Sequence, residues 1–253
     1  MIISLVNQKG GVTKTTSAIN IGASLSFLGH RVLLVDLDPQ SNCTSGVGFN
    51  SEGENNIFDV LTFNKDINSC IHETGYKNLY ILPSIDRLAN VEQILVNEMD
   101  RERILRNELK KIENDYDFIF LDCPPSLGLI TLNALVASDK LLIPMLPKLF
   151  AFEGLTLLLN TYKKVKIKIN KDLDILGSFF CYVDKRTNIE EYRQELKDIF
   201  KDKFFDSIVY QYKHIADSQE EGTPLCYHNR SSKGSREYFN LAKEILEHAQ
   251  TKE

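Results

Sequence analysis

Lysines, hydroxyls and glycines crowd the stretch Asn7-Gln8-Lys9-Gly10-Gly11-Val12-Thr13-Lys14-Thr15-Thr16. Paired glycines let a backbone turn aim its N–H groups inward, and converging N–H groups form a nest for phosphate oxygens. From such a turn Lys14 can reach the β- and γ-phosphates of a nucleotide, and the Thr15 hydroxyl can ligate Mg²⁺. The flanks supply the context that this chemistry needs. Ile2 to Val6 is an apolar run of strand length, while Ala18, Ile19, Ile21, Gly22, Leu25 and Leu28 recur at helical spacing. Strand, glycine turn and helix together separate a phosphate loop from a glycine turn flanked by solvated lysines. A helix beginning near Thr15 adds the positive end of its dipole to the nest. The candidate nucleotide-binding residues are therefore Gly10, Gly11, Val12, Thr13, Lys14, Thr15 and Thr16, with a second lysine, Lys9, five residues before Lys14.

Three carboxylates extend the set. Arg31 to Asp36 reads as a strand that runs into Asp36-Leu37-Asp38-Pro39-Gln40. Ligands of open parallel sheets sit at the carboxyl ends of strands, and strand alternation puts Asp36 and Asp38 on one side, with Pro39 as the stop. The other reading is a pair of solvated turn carboxylates. Asp117 to Leu121 is a further strand, followed by Asp122-Cys123-Pro124-Pro125. An acid at the end of an apolar strand beside a phosphate loop holds Mg²⁺, through water, because that ion keeps much of its hydration. Pro124 and Pro125 make a stiff turn suited to sensing a γ-phosphate, and Cys123 reads as packing.

The elements that must hold these groups alternate along the chain. Strand-length runs at 79–82, 140–143, 175–183 and 207–210 interleave with helical patterns at about 87–97, 100–113, 154–165, 188–200 and 234–248. This is the pattern of an α/β fold, a doubly wound and mainly parallel sheet with helices on both faces. With no internal repeat or linker-like stretch, residues 1–253 read as one domain, and Phe49 to Asn56 as a surface excursion. Five cysteines without a CxxC pair argue against a zinc site, an iron–sulfur cluster or a disulfide framework. No run has the length of a membrane span, and Met1-Ile2-Ile3 leads straight into a strand, so no signal peptide is expected. A net charge of −5 does not advertise nucleic-acid binding, so any contact with DNA must come from a local basic surface.

The form KGGxxK[ST]T, with Thr13 where the ordinary loop has glycine, is a deviant Walker A loop. It resembles that of the ParA/MinD family of P-loop ATPases, and Asn7-Gln8 looks most like the ParA/Soj branch. Asp36 to Gln40 is similar to the family's VDxDPQ motif, and Asp122 to Pro125 to its DxPP ending. The resemblance implies that Lys9 reaches across a homodimer to the partner's ATP. It also implies that Asp38 orients the attacking water and that Asp36 orders the outer shell of the metal bound by Thr15 and Asp122.

Resemblance reaches the C-terminal third as well. Asp184-Lys185-Arg186-Thr187-Asn188 is similar to a DxRTN turn, which makes Arg186, with Lys185 beside it, a candidate DNA contact. Residues 208–225 follow IPRNxRLxEAxxxGxP, but Tyr210-Gln211-Tyr212 replaces Pro-Arg-Asn and His214 replaces a basic residue. Tyr210 or Tyr212 would stack on adenine or else be packed strand aromatics, and Lys213 and His214 join the DNA-contacting set. Lys163, Lys164, Lys166, Lys168 and Lys171 are either a solvated helix end or part of that patch. Ala151 to Leu155 resembles an ALEG segment near the dimer interface, although Leu146 and Lys148 depart from the pattern before it. The final residues lack the basic amphipathic membrane helix of MinD-type relatives, and the start leaves no room for an N-terminal helix-turn-helix. The family reading is thus a cytoplasmic, nucleoid-associated ATPase of DNA segregation, using ATP and Mg²⁺. It would dimerise on ATP, bind nonspecific double-stranded DNA and be stimulated by a ParB-type partner. A membrane-associated division-site ATPase and a metabolic P-loop synthetase are the alternatives.

Overall fold

The computed structural model describes residues 1–148 and 151–250, the side chains of residues 151–153 and 250 excepted. In chain order the elements are β1 (Ile2–Leu5), α1 (Lys14–Phe27), β2 (Val32–Asp36), α2 (Asn42–Gly46), α3 (Ile57–Phe63), β3 (His72–Glu73) and β4 (Leu79–Leu82). Then follow α4 (Val91–Ile94), α5 (Ile104–Leu109), β5 (Phe118–Asp122), α6 (Leu129–Ala137), β6 (Lys140–Met145) and α7 (Ala151–Lys168). The chain closes with β7 (Asp174–Val183), α8 (Glu190–Phe200), β8 (Phe204–Tyr210), α9 (Lys213–Glu220), α10 (Leu225–His228) and α11 (Lys233–Gln250).

The strands form one eight-stranded sheet in the order β3-β4-β2-β5-β1-β6-β7-β8. Every neighbouring pair is parallel except β3 with β4. Strand β1 lies between β5 and β6, where the winding reverses, and in such sheets the crevice at that reversal is where ligands enter. The central strands are buried on both faces, which is why they read as unbroken apolar runs. Alternate residues then go to opposite cores. Ile3, Leu5, Val32, Leu34, Phe118 and Phe120 pack under α1 and α11, whereas Leu33, Val35, Ile119, Leu121 and Ile143 pack under α3, α5, α6, α7 and α8.

Two sequence expectations change. The helical patterns at 87–97 and 100–113 are not two continuous helices but short α-helical and 3₁₀ turns, separated by Asp100 in the left-handed region at φ 52°. Apolar spacing there reports a buried stripe, with Leu88, Val91, Leu95, Leu105 and Leu109 all in the core, and not a helix. Strand β2 ends at Asp36, so Asp38 lies in the loop beyond it and strand alternation does not set its direction. Helices α2, α3, α6, α9 and α10 and the short strand β3 carry no clear signal in the sequence. Residues 49–56 are a loop, ending at Asn56, which caps α3 in a capping box with Asp59.

Candidate functional site

The loop between β1 and α1 has two residues in the left-handed region, Gly11 at φ 72° and Thr13 at φ 52°. For Thr13, whose Cβ opposes this conformation, the strain is about 1–2 kcal/mol. The loop is held from outside. Asn7 accepts the Lys9 N–H through Oδ1 at 3.0 Å and donates through Nδ2 to the Pro144 carbonyl at 2.8 Å, tying the loop to the end of β6. The Cys181 thiol donates to the Val12 carbonyl at 3.1 Å.

No side chain caps the N-terminus of α1, and the first backbone bond onto it is Ser17 N–H to the Thr13 carbonyl at 2.8 Å. The N–H groups of Lys14, Thr15 and Thr16 consequently have no partner within the helix. They open on a pocket of about 460 Å³ lined by every residue from Gly10 to Thr16, together with Asp38, Asn42, Pro125, Gln219 and Glu220. Unpaired amides, a helix dipole and a buried ammonium in one concavity are a receptor for polyphosphate. Burial lowers the pKa of Lys14, and Asp122 is the largest of the charges that oppose this.

Asp122 closes β5 in register with Leu5 on one side and Asp36 on the other. It is completely buried, and neither carboxylate oxygen has a hydrogen-bond partner among the described residues. Burial, and then the charge of Asp36, raise its pKa to about 8, against the Thr15 hydroxyl and Lys14. A buried acid with open lone pairs is a costly arrangement that a cation relieves. The described residues contain no cluster of three or more His, Cys, Asp or Glu that could hold a metal. One acid and one hydroxyl suit Mg²⁺, which takes its other ligands from water and phosphate.

Asp36 is employed differently. Its Oδ2 accepts from the Thr44 N–H at 2.8 Å and the Thr44 hydroxyl at 2.7 Å, and its Oδ1 accepts from the Asp38 N–H at 3.1 Å. The Thr44 hydroxyl in turn accepts the Ser84 N–H at 3.0 Å, so the ends of β2 and β4 and helix α2 are fastened together. Burial raises the Asp36 pKa to about 6, opposed by these hydrogen bonds. Asp38, half-buried, accepts the Gln40 N–H at 3.0 Å and faces the pocket.

Lys9 is half-buried and forms no ion pair with the described residues. The two tyrosines do not join the phosphate loop. Tyr210 packs as a strand aromatic against the core beneath α8, and its N–H donates to Glu237 at 2.9 Å. Tyr212 donates its hydroxyl to the same carboxylate at 2.7 Å, stacks on His214 at 4.9 Å between ring centroids and lies under the Lys185 ammonium. His214 turns Nε2 inward, where it is buried without a hydrogen-bond partner among the described residues and a Cβ on Gly234 would lie 3.0 Å away. That nitrogen is not presented to an outside phosphate. Lys185, Arg186 and Lys213 are exposed, and Arg186 pairs with Asp184 at 2.8 Å. Of the lysine run, Lys166 pairs with Asp174 at 3.4 Å, while Lys163, Lys164, Lys168 and Lys171 are exposed. The side chains of Ala151, Phe152 and Glu153, in the ALEG-like segment, lie outside the described residues.

Two participants carry no motif that spacing exposes: Thr44, which holds Asp36 and Ser84, and Gln219, whose amide reaches the Thr16 hydroxyl across 203 positions.

Comparison with known proteins agrees with this geometry. The family model for an AAA domain matches residues 1–175. The sporulation initiation inhibitor protein Soj of Bacillus subtilis is 41% identical over 246 residues, covering 96% of this chain and 97% of that one. The chromosome-partitioning ATPase Soj of Treponema pallidum is 42% identical over 242 residues, with 95% of each covered. A solved structure described as cobyrinic acid a,c-diamide synthase from Mycobacterium smegmatis, with bound ATP analog and magnesium, superposes with a TM-score of 0.87 at 30% identity. It covers 99% of this chain and 95% of that one. Uncapped loop, strand-end acids and near full-length identity agree: the chain belongs to the Soj/ParA family of chromosome-partitioning ATPases.

Proposed function

We propose that this protein is an ATPase of DNA partitioning that binds ATP with Mg²⁺, pairs into a dimer around the nucleotides and in that state holds nonspecific double-stranded DNA. A ParB-type partner then stimulates hydrolysis and releases the DNA. The carrying observation is the uncapped α1 terminus together with a buried acid, felt by Lys14 and Thr15, whose two oxygens have no close hydrogen-bond partner among the described residues. That pair accommodates an anion and a cation side by side.

The amides from Gly10 to Thr16 cradle the phosphates and Lys14 neutralises the β/γ edge. Thr15 and Asp122 would hold Mg²⁺, which would supply positive charge to the phosphates. Asp38, on the pocket wall in the loop beyond β2, orients the attacking water. Asp36, occupied by Thr44 and the Asp38 amide, keeps that loop in place behind the metal's outer shell. Lys9, without an ion pair among the described residues, is assigned to the partner's triphosphate. Lys185, Arg186 and Lys213 contact the phosphates of the duplex.

The division-site alternative requires an apolar face for membrane. In α11 the buried positions Tyr238, Leu241, Ala242 and Ile245 are already packed with α1 and the sheet, and no described helix is long and apolar enough to cross a membrane. Sedimentation with ATP, with ADP and without nucleotide, each with and without duplex DNA, tests the reading. It predicts a dimer that carries DNA only with ATP. A protein that stays single in saturating, uncleavable nucleotide and Mg²⁺ would refute it. Flotation with vesicles would favour the division-site ATPase, and turnover indifferent to DNA and partner but dependent on an amine acceptor would favour a synthetase.

A further inference from the structure

Helix α9 places Gln219 over the first turn of α1. Its Nε2 donates to the Thr16 hydroxyl oxygen at 2.7 Å, and both residues line the phosphate pocket. Thr16 is only 4% exposed. Its hydroxyl accepts this one bond and donates to no acceptor among the described residues. A helical threonine commonly returns its proton to the carbonyl four residues back. Here the carbonyl four residues back, on Val12, accepts the Cys181 thiol at 3.1 Å and receives no bond from the Thr16 hydroxyl. A hydroxyl has one proton and two lone pairs, so an amide donating into a lone pair steers the proton away from itself. The remaining direction is the pocket.

The second end of the arrangement is equally fixed. The Leu225 N–H donates to Asn20 Oδ1 at 2.8 Å, and Asn20 Nδ2 donates to the Thr16 carbonyl at 2.8 Å. Gly222, at φ 60°, lies so close to Ser45 and Gly48 that a Cβ there would come within 2.8 Å of the Ser45 carbonyl. Helix α9 therefore approaches α1 along a defined line, and the amide is delivered to a fixed hydroxyl and not to a wandering one.

We infer that Gln219 is a positioning residue for nucleotide binding: it holds the Thr16 hydroxyl with its proton directed at a phosphate oxygen of the bound nucleotide. The inference rests on the nucleotide reading given above and adds a residue from the far end of the chain to it. Glutamate at this position would accept the Thr16 proton and set a negative charge beside the phosphates. Leucine or alanine would leave the hydroxyl free to turn. The order of nucleotide affinity is thus Gln, then Ala, then Glu.

The test is titration of the full chain with fluorescent ADP and ATP in Mg²⁺ for the parental protein, Gln219→Ala, Gln219→Glu, Thr16→Val and Thr16→Val/Gln219→Ala, with thermal melting of each protein without nucleotide. Loss of one oriented donor to a charged oxygen gives a weakening of about 3- to 30-fold in Gln219→Ala, and more in Gln219→Glu. In the Thr16→Val background the alanine change should have no further effect, because no hydroxyl remains to be steered. A purely structural role would lower the melting temperature equally in both backgrounds and leave the order of Ala and Glu unset. Parental-like affinity in Gln219→Ala and Gln219→Glu, or an undiminished alanine effect in the Thr16→Val background, overturns the inference. Failure of the parental protein to bind either nucleotide would instead overturn the nucleotide reading itself.

Discussion

At the scale of single residues, burial decides what each charge can do. Lys14 and Asp122 are both taken from water, and the charge of each partly offsets the burial of the other. Removing Lys14 leaves the acid pair uncompensated and the phosphates without their ammonium. Lys14→Ala is expected to weaken ATP binding by at least about 100-fold in equilibrium titration, the range for a desolvated charge-assisted pair. Asp38 is different because it lines the pocket from the loop beyond β2 and is only half-buried. Asp38→Ala is expected to retain ATP affinity and ATP-dependent sedimentation while turnover falls by about 100-fold, the usual loss when a reactant is no longer held in place. Hydrolysis at the parental rate with the partner present would remove Asp38 from the water.

At the scale of elements, two features away from the pocket hold the β6–β7–β8 side of the sheet. Asp174 begins β7 and meets Lys203 at 2.6 Å, Lys140 and Lys166 at 3.4 Å, and the Tyr162 hydroxyl at 3.3 Å. Burial pushes its carboxyl upward, but the Lys203 hydrogen bond and charge, the Ile175 N–H and Lys140 outweigh this and hold it well below the ordinary carboxylate range. A folded pKa below the unfolded one stabilises above the unfolded pKa, near 4, and that stability is lost as pH falls toward the folded value. Asp174→Asn should therefore cost about 1 kcal/mol at pH 7, allowing for screening by water, and the difference should shrink below about pH 4. Urea unfolding of both proteins at pH 7 and pH 3 checks it. Three residues farther along β7, Gly177 faces Phe205 so closely that an added Cβ would lie 2.2 Å from its ring. Gly177→Ala should destabilise by about 1–3 kcal/mol, the cost of overpacking, with a correspondingly lower melting temperature.

At the scale of the whole molecule, a chain of net charge −5 must concentrate its cations to hold DNA. Lys185, Arg186 and Lys213 stand near one another's elements at the ends of β7 and β8, and Asp184 already engages Arg186. Duplex affinity in ATP should fall linearly with the logarithm of salt concentration. Arg186→Ala should lower that slope by about 1, uniformly across sequences. Asp184→Asn frees the guanidinium and is expected to raise affinity in the same anisotropy assay. A slope unchanged by Arg186→Ala would move the DNA interface elsewhere.

Some of this was legible from residues alone, for a physical reason. The phosphate loop, Asp122 and the parallel sheet are written in local terms: consecutive glycines, an acid at the end of an apolar run, and strands buried on both faces. Each needs only its own neighbours in the chain. What tertiary structure decided depends on groups that meet across the fold. Asp36 serves Thr44 instead of facing solvent, His214 buries Nε2 against Gly234, Tyr210 packs half-buried against a core, and the 87–97 stripe curls into turns. Gln219 arrives at Thr16 only because α9 packs back onto the helix that the first turn began. Spacing along a chain encodes periodicity, but the direction of a hydrogen bond belongs to the two groups that share it.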